Sequence, residues 1–221
     1  MRKKKIRIAI AEDHDLVRQG MVALAKREKG LCMVLDVSNG QELLDRLKTK
    51  MVDVILLDLN MPILNGHQTL KIIGEKYPDV HVIIVSMLYD DEYITESIEL
   101  GARGFLPKNT DFNELVDAIF SVYETGYYFD KQITKSLVNS IATQKGRKPL
   151  NTSYSLSDRE KEVLLEICNG RTNDDIAESL KISIRTVETH KRNLFSKTDN
   201  INSVGLVLFA ITNGLFVIKA E

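Results

Sequence analysis

The sequence predicts an α/β unit with a doubly wound, five-stranded parallel sheet, followed by an all-α unit of four helices. Three observations support this. Up to about residue 125, short apolar runs alternate five times with amphipathic patterns, as in a parallel sheet covered on both faces. Beyond about residue 155 every periodic stretch is helical. With 221 residues, the chain is long enough for two compact units.

The amino-terminal strands are predicted from β-branched and aliphatic runs, and the helices from apolar residues at helical spacing. The predicted strands are residues 6–11, 31–36, 52–57, 80–85 and 104–106. The last helical pattern before residue 125 places four apolar side chains on one face, namely Phe112, Leu115, Ile119 and Val122. We assign residues 1–125 to this first domain.

The stretch that follows changes in character. Residues 144–149 are polar and basic and contain Gly and Pro. This composition predicts a linker that spans residues 126–152, followed by a second domain at residues 153–221. In the second domain, Ser157 and Glu160 form a capping-box pattern that opens the first helix. Ser183 is the predicted cap of the third helix.

The formal net charge of −1 is unevenly distributed. Residues 1–130 carry 16 Lys and Arg against 21 Asp and Glu, residues 131–149 carry five basic and no acidic residues, and residues 150–221 carry 9 against 10. The second domain is therefore not basic as a whole, and any nucleic-acid site in it depends on where its charges lie.

No apolar run is long enough to cross a bilayer, and no signal-peptide pattern follows the basic start. We therefore expect a cytoplasmic protein without a membrane partner. Cys32 and Cys168 lie far apart in apolar stretches, which predicts two buried free thiols. His14, His67 and His81 show no metal-binding spacing.

Four of the predicted strands end in residues that can hold a cation or a phosphoryl group: Glu12 and Asp13, then Asp58, Ser86 and Lys108. Parallel strands bring these ends to one edge of the sheet. Three ionised carboxylates repel one another and require a cation, and all-oxygen ligands suit Mg²⁺. An aspartate in such a cluster can accept a phosphoryl group. A single acidic residue at a strand end is most often a loop carboxylate without a ligand. Here five residues at the ends of four strands suit the same ligands, which favours a binding site for a cation and a phosphoryl group.

These motifs resemble the receiver domains of bacterial two-component response regulators, which have a flavodoxin-like fold. The resemblance covers residues 5–124 and rests on Ala11-Glu-Asp13, on Leu57-Asp-Leu-Asn-Met-Pro62 with Gly66, on Val85-Ser86 and on Gly104-Phe-Leu-Pro-Lys108. It implies that Asp58 is the phosphoacceptor for a sensor histidine kinase. It also implies a Mg²⁺ ion bound by Glu12, Asp13, Asp58 and the carbonyl of Asn60.

The same resemblance implies that Lys108 pairs with the phosphoryl group, and that Ser86 and Phe105 move together as a switch. Two residues depart from the common pattern. Phe105 lacks the hydroxyl of the frequent tyrosine, and Met87 follows Ser86 where smaller side chains are often found. Met87 could therefore crowd the phosphoryl group and change the lifetime of the phosphorylated state.

The predicted third helix of the second domain has two faces. Its apolar face carries Val187, His190 and Leu194; its polar face carries Arg185, Thr189, Arg192 and Ser196, with Glu188 at the margin. Residues 181–198 contain five basic residues against one acidic residue. A basic face behind a tight turn suits a helix that enters the DNA major groove, although a solvated face of a small bundle would have the same pattern.

The second domain also resembles a LuxR-type helix-turn-helix, and the whole chain resembles the NarL/FixJ class. The resemblance rests on residues 156–163, Gly170, Ile176-Ala177, Leu180 and residues 183–190. It implies that base edges are contacted by Glu188, Thr189 and Arg192, and DNA phosphates by Arg185, Lys191 and Lys197. It further implies promoter DNA as a partner and a homodimer on DNA, supported by the apolar last helix.

Two alternatives remain at the level of sequence. An aspartyl-phosphate phosphatase of the haloacid-dehalogenase type would use Asp58 as nucleophile, but it needs a second aspartate where Asn60 stands. We therefore expect no enzyme. A regulator whose helical domain binds a protein instead of DNA is the other alternative, and salt-dependent DNA affinity would distinguish the two.

Overall fold

The apolar runs of the amino-terminal unit form one parallel sheet. In the computed structural model, which describes residues 5–130, 132–134, 136–137, 156–198 and 203–216, the strands are β1 (Ile6–Ala11), β2 (Leu31–Val37), β3 (Val54–Leu57), β4 (His81–Ser86) and β5 (Gly104–Pro107). They pair in the order β2-β1-β3-β4-β5, and every pairing is parallel. The predicted doubly wound sheet is confirmed, with strand ends shifted by one or two residues.

Five helices connect these strands: α1 (Asp15–Arg27), α2 (Gly40–Leu47), α3 (Gly66–Lys76), α4 (Asp91–Glu99) and α5 (Phe112–Thr125). Four of them begin after an Asn or Asp whose side chain accepts hydrogen bonds from the first turn, namely Asn39, Asn65, Asp90 and Asp111. Such caps satisfy backbone N–H groups that the helix leaves without partners.

Alternate side chains of each strand pack on opposite faces of the sheet. In β1, Ile8 and Ile10 join the cluster under α1 and α5, whereas Ala9 and Ala11 join the cluster under α2, α3 and α4. This two-sided burial explains why the strands are almost continuously apolar. β2 lies at an edge of the sheet, and Cys32 on it is exposed, so the expectation of a buried thiol is wrong for this cysteine.

The first part of the predicted linker packs on the amino-terminal unit. Residues 132–134 and 136–137 are helical, and the side chains of Ile133 and Leu137 are buried in the cluster that also contains residues of α4. The predicted linker residues 144–149 lie outside the described part of the chain.

The carboxy-terminal unit is helical, as predicted, with α6 (Asp158–Cys168), α7 (Asn173–Leu180), α8 (Ile184–Thr198) and α9 (Ser203–Thr212) around one apolar core. The predicted capping box of Ser157 and Glu160 is present, and the hydroxyl of Ser183 accepts a hydrogen bond from the Thr186 N–H at 3.1 Å. The two units touch, since the Tyr127 hydroxyl donates to the Ile167 carbonyl at 2.7 Å. In the described ranges, no helix has the length and apolarity that a membrane crossing requires.

Gly66, the first residue of α3, approaches the backbone beneath Asp58. A Cβ at this position would collide with the Asp58 carbonyl oxygen and lie 2.6 Å from the Leu59 Cα. We expect Gly66→Ala to lower the free energy of unfolding by about 1–3 kcal/mol, as overpacking against rigid backbone does. Urea denaturation followed by circular dichroism measures this.

Gly74 in the same helix is the matched control. A Cβ there would meet only the Leu100 carbonyl oxygen, at 3.8 Å. Gly74→Ala should therefore raise the free energy of unfolding by about 0.5–1 kcal/mol, through the helix preference of Ala. If the two substitutions changed the free energy of unfolding equally, the close approach of Gly66 to the backbone of Asp58 would not contribute to stability.

Candidate functional site

The carboxyl edge of the sheet holds a compact cluster of acidic groups. Glu12 and Asp13 follow β1, and Asp58 follows β3, the neighbouring strand. The ligand atoms of these three residues and of His14 lie within 4.8 Å of one another. Glu12 is 0% exposed and Asp58 is 2% exposed, so water screens their charges poorly.

Lys108, which follows β5, holds two of these carboxylates together. Its Nζ lies 2.8 Å from Glu12 Oε2 and 2.9 Å from Asp58 Oδ2, and its side chain is only 7% exposed. One ammonium faces three carboxylates here. The cluster therefore keeps an excess of negative charge that a divalent cation would neutralise.

The pKa values reflect this crowding. Burial raises the pKa of Asp58 above its usual value and the charge of Glu12 raises it further, while the hydrogen bonds from Lys108 and from the Asn60 N–H act in the opposite direction. Burial lowers the pKa of Lys108, but the hydrogen bonds to Asp58 and Glu12 outweigh burial and the net shift is upward. The lysine therefore stays charged at neutral pH.

Two oxygens of the cluster are open to a cation. Glu12 Oε2 and Asp13 Oδ1 are both buried and accept no hydrogen bond of good geometry among the described residues, although Lys108 Nζ and His14 Nδ1 lie near them. His14 Nδ1 is 2.8 Å from Asp13 Oδ1. The sequence gives no signal for His14 at this site, because its proximity comes from the turn after β1 and not from a spaced motif.

The predicted switch residues lie beside the cluster. Ser86 and Phe105 are both 0% exposed, and Ser86 Oγ accepts a hydrogen bond from the Leu88 N–H at 3.1 Å. Met87 is 74% exposed, so its side chain is not packed among the buried groups of the site. The hydroxyl is thus bound to the β4–α4 loop in this structure.

Tyr89 connects that loop to the linker, which the sequence did not predict. Its ring lies 5.7 Å from the ring of Phe105, centroid to centroid, and its hydroxyl donates a short hydrogen bond to Asp130. Asp130 in turn accepts a hydrogen bond from the Ile133 N–H at 2.7 Å. Since Tyr89 and Asp130 are 41 residues apart, no local pattern relates them.

A second feature of this region ties α4 to the same segment. The Ser136 hydroxyl donates to Asp91 Oδ1 at 2.6 Å, and the Gln132 amide donates to the same oxygen at 3.1 Å. The start of the linker is therefore attached to the α4 face by polar contacts as well as by buried apolar side chains.

The predicted DNA-contacting residues lie on α8 but do not share one environment. Those fully at the surface are Arg185, Glu188, Thr189, Arg192 and Lys197. Lys191 is partly buried, and its Nζ donates to Asn173 Oδ1 at 3.1 Å. The Nζ of Lys197 lies 2.7 Å from Glu160 Oε2.

Three of these residues face the amino-terminal unit. Glu188, Lys191 and Arg192 line a cleft whose opposite wall includes Arg103 and His81. In this arrangement, part of the predicted DNA-contacting face is turned towards the sheet domain.

Comparison with known proteins gives the same two-part division. Residues 8–120 match the response regulator receiver domain, and residues 154–210 match the bacterial regulatory proteins of the luxR family. The chain is similar to the oxygen regulatory protein NreC of Staphylococcus epidermidis, with 33% identity over 95% of this chain and 99% of that protein. It is also similar to the transcriptional regulatory protein LnrK of Bacillus subtilis, with 31% identity over 96% and 99% of the two chains.

Solved structures show the same fold. The Salmonella typhimurium RcsB response regulator matches with a TM-score of 0.56 and 22% identity, over 94% of this chain and 98% of that chain. The response regulator ChrA, from a heme-sensing two-component system, matches with a TM-score of 0.51 and 26% identity, over 96% and 99%.

Lys108 should matter for stability as well as for the site. We expect Lys108→Met to lower the free energy of unfolding by about 3 kcal/mol at pH 7, because Glu12 and Asp58 would be left buried without their cation. The loss should shrink as the pH falls through the raised pKa of Asp58, since a protonated carboxyl needs no cationic partner. Urea denaturation at several pH values measures both effects.

Lys48→Met is the matched control. The Nζ of Lys48 lies 2.7 Å from Asp45 Oδ1, but the two side chains are 66% and 52% exposed. Removing this exposed pair should leave the free energy of unfolding almost unchanged. If both substitutions cost the same, burial of the Lys108 cluster does not govern its contribution.

Proposed function

Because the chain belongs to the response regulators that join a receiver domain to a LuxR-family DNA-binding domain, we propose that a sensor histidine kinase phosphorylates Asp58 and thereby controls promoter binding through α8. The observation that carries the proposal is the position of the Asp58 carboxylate, buried and 2.9 Å from Lys108 Nζ within the acidic cluster. We retain residues 1–125 as the receiver, 126–152 as the linker and 153–221 as the DNA-binding domain.

In the proposed phosphotransfer, an oxygen of Asp58 attacks the phosphorus of a phosphohistidine. The new oxygen–phosphorus bond forms as the bond to the histidine nitrogen breaks, and Lys108 stabilises the charge on the phosphoryl oxygens. Burial of Asp58 keeps competing water away. No general base is required, since the carboxylate is already the nucleophile.

The open oxygens of the cluster fit a divalent cation, for which we propose Mg²⁺. Glu12, Asp13 and Asp58 would hold it with the carbonyl of Asn60. A bound Mg²⁺ supplies positive charge that offsets the approaching phosphoryl oxygens. The family consists of DNA-binding regulators, so the phosphatase alternative has no support beyond the dipeptide that suggested it.

The contacts around Ser86 suggest how the phosphoryl group acts at a distance. When Ser86 Oγ turns towards the phosphate, the Leu88 N–H loses its acceptor and the β4–α4 loop must rearrange. Tyr89 lies on this loop, against Phe105 and bonded to Asp130, so the rearrangement reaches the linker. We infer that release of the linker from the α4 face frees the DNA-binding domain.

On DNA, we propose that Glu188, Thr189 and Arg192 contact base edges and that Arg185, Lys191 and Lys197 contact phosphates. Glu188, Lys191 and Arg192 line the cleft against the receiver, so binding of α8 in a groove requires the domains to separate. A homodimer on two half-sites is supported by apolar side chains on or just after α9 that remain partly exposed, including Leu215 at 40%.

The direct test incubates the full chain with Mg²⁺ and an acyl phosphate and follows phosphorylation by intact-protein mass spectrometry. Wild type and Asp117→Asn, an exposed position on α5, should be labelled, and Asp58→Asn should not. Labelling of Asp58→Asn to the wild-type level would refute Asp58 as the phosphoacceptor.

The same samples test the DNA half of the proposal with a DNA fragment selected for binding from a random pool. Affinity should rise on phosphorylation of wild type and of Asp117→Asn but not in Asp58→Asn, and it should fall steeply with salt, as contacts to DNA phosphates require. A helical domain that binds a protein partner would show no such salt dependence on any selected DNA.

Tyr89→Phe tests the connection to the linker. It keeps the ring against Phe105 but removes the hydrogen bond to Asp130. We expect unchanged phosphorylation, with DNA affinity of the unphosphorylated chain higher by up to about a hundredfold, since a hydrogen bond to a charged group contributes about 1.5–3 kcal/mol. Fluorescence anisotropy with labelled DNA measures the affinity.

Tyr93→Phe, on α4, is the control for this experiment. The Tyr93 ring lies against His67 and no contact joins it to Asp130 among the described residues. It should behave as wild type. If Tyr89→Phe also behaves as wild type, the linker is not restrained through this hydrogen bond.

A further inference from the structure

The cleft between the two domains is large enough to be a ligand site. It encloses about 600 Å³, within the range of roughly 300–1,000 Å³ that small-molecule sites occupy. Its receiver wall comes from the loop before β4, the residue before β5 and the end of α5; its other wall comes from α7, α8 and α9. It lies at the amino ends of β4 and β5, away from Asp58.

The inner part of the cleft brings two cations together. Arg103 and Lys191 both line it, both are partly buried, and neither has a carboxylate within ion-pair distance in the described ranges. Burial and the charge of Arg103 lower the pKa of Lys191 to about 8, and burial lowers the pKa of Arg103 to about 10. The two charges therefore repel each other in a place that water screens poorly.

The acidic groups of the cleft offset this repulsion only in part. Asp79 raises the pKa of Arg103 and Glu188 raises that of Lys191, but burial outweighs both and the net shifts are downward. Asp79, Glu124 and Glu188 also line the cleft, but all three are exposed. His81 does not add charge, because burial and the two neighbouring cations lower its pKa to about 3. The inner part of the cleft is thus cationic, and its outer part carries the three exposed acids together with the exposed Arg192.

An unpartnered hydroxyl lies in the same cleft. Ser203 is 0% exposed, and its Oγ makes no hydrogen bond to any residue that the structure describes. It is the first residue of the ten-residue helix α9, where the helix dipole favours an anion. His81 Nδ1 is a second buried atom without a hydrogen-bond partner among the described residues.

We propose that this cleft binds a phosphate group, free or carried by a small metabolite, through Arg103, Lys191 and Ser203. A phosphate supplies the negative charge that the two cations lack and oxygen acceptors for the serine hydroxyl. Because Arg103 belongs to the receiver, and Lys191 and Ser203 to the DNA-binding domain, the bound phosphate holds α8 against the receiver. Phosphate-bearing ligands therefore oppose DNA binding independently of Asp58.

The test is isothermal titration calorimetry of the full, unphosphorylated chain with inorganic phosphate at pH 7, without Mg²⁺, against sodium chloride at matched ionic strength. Wild type should bind phosphate. Arg103→Gln and Lys191→Gln should each weaken binding about tenfold or more, the loss expected for one charge-assisted hydrogen bond. Lys26→Gln, an exposed position on α1, should leave it unchanged.

The two variants come from different domains, so a site confined to one domain would lose affinity in only one of them. Circular dichroism of each variant checks folding, and Ser203→Ala provides a smaller change with the same expected direction. Absence of phosphate binding beyond chloride, or equal binding by wild type and both charge variants, overturns the proposal. A second titration with adenosine monophosphate distinguishes free phosphate from a phosphate carried by a metabolite. If adenosine monophosphate binds more tightly than phosphate does, the ligand is a metabolite whose remaining part fills the cleft near Phe195.

The consequence for DNA is measured separately. At matched ionic strength, phosphate should lower the DNA affinity of wild type more than that of Arg103→Gln, whose substitution lies outside α8. Equal reductions would show that the phosphate does not hold the domains together. Because the calorimetric titration involves neither Asp58 phosphorylation nor DNA, its result stands whether or not the proposed phosphotransfer is correct.

Discussion

The pairing of Lys108 with Glu12 and Asp58 is the interaction on which the receiver site depends. Three buried charged groups at one sheet edge are costly to desolvate, and the cost is met only because the ammonium lies within 3 Å of both carboxylates. The three residues follow β5, β1 and β3, so the parallel order of the sheet brings them together. The arrangement still leaves an excess of negative charge, which makes it receptive to a cation and to the phosphoryl chemistry that a cation assists.

If Asp58 is phosphorylated as proposed, the signal would have a short path out of the site. Ser86 ends β4, and its hydroxyl bonds the loop that carries Tyr89. Tyr89 lies between Phe105 in the core and Asp130 at the start of the linker. A change of one hydrogen bond at Ser86 is worth about 1 kcal/mol, and this is comparable with the coupling energies of 1–3 kcal/mol typical of allosteric proteins. In the proposed switch, the packed, two-sided sheet would transmit such a change because its core has little free space to absorb it.

The fold and the assembly of the site could be predicted from the sequence, because both follow from periodicity. Alternating apolar runs specify the parallel sheet, and that sheet specifies that Glu12, Asp58 and Lys108 meet. The proposed roles of these residues stay predictions. Contacts between distant segments carry no periodic signal, so the Tyr89–Asp130 bond and the packing of Ile133 on the receiver were not predicted. The exposure of Cys32 was misjudged because an edge strand and a central strand can have the same composition.

The surface of α8 has to meet two conflicting requirements, contact with DNA and contact with the receiver. A helix that contacts DNA phosphates needs uncompensated positive charge, yet Lys191 of that helix faces Arg103 of the receiver. The closed arrangement is therefore electrostatically unfavourable at this point, and it depends on contacts elsewhere, such as the Tyr127–Ile167 hydrogen bond and the attachment of the linker to α4. An arrangement balanced in this way needs only a few kcal/mol to shift between closed and open populations. Under the two proposals, a phosphoryl group on Asp58 would favour the open arrangement, and a phosphate bound in the cleft would favour the closed one.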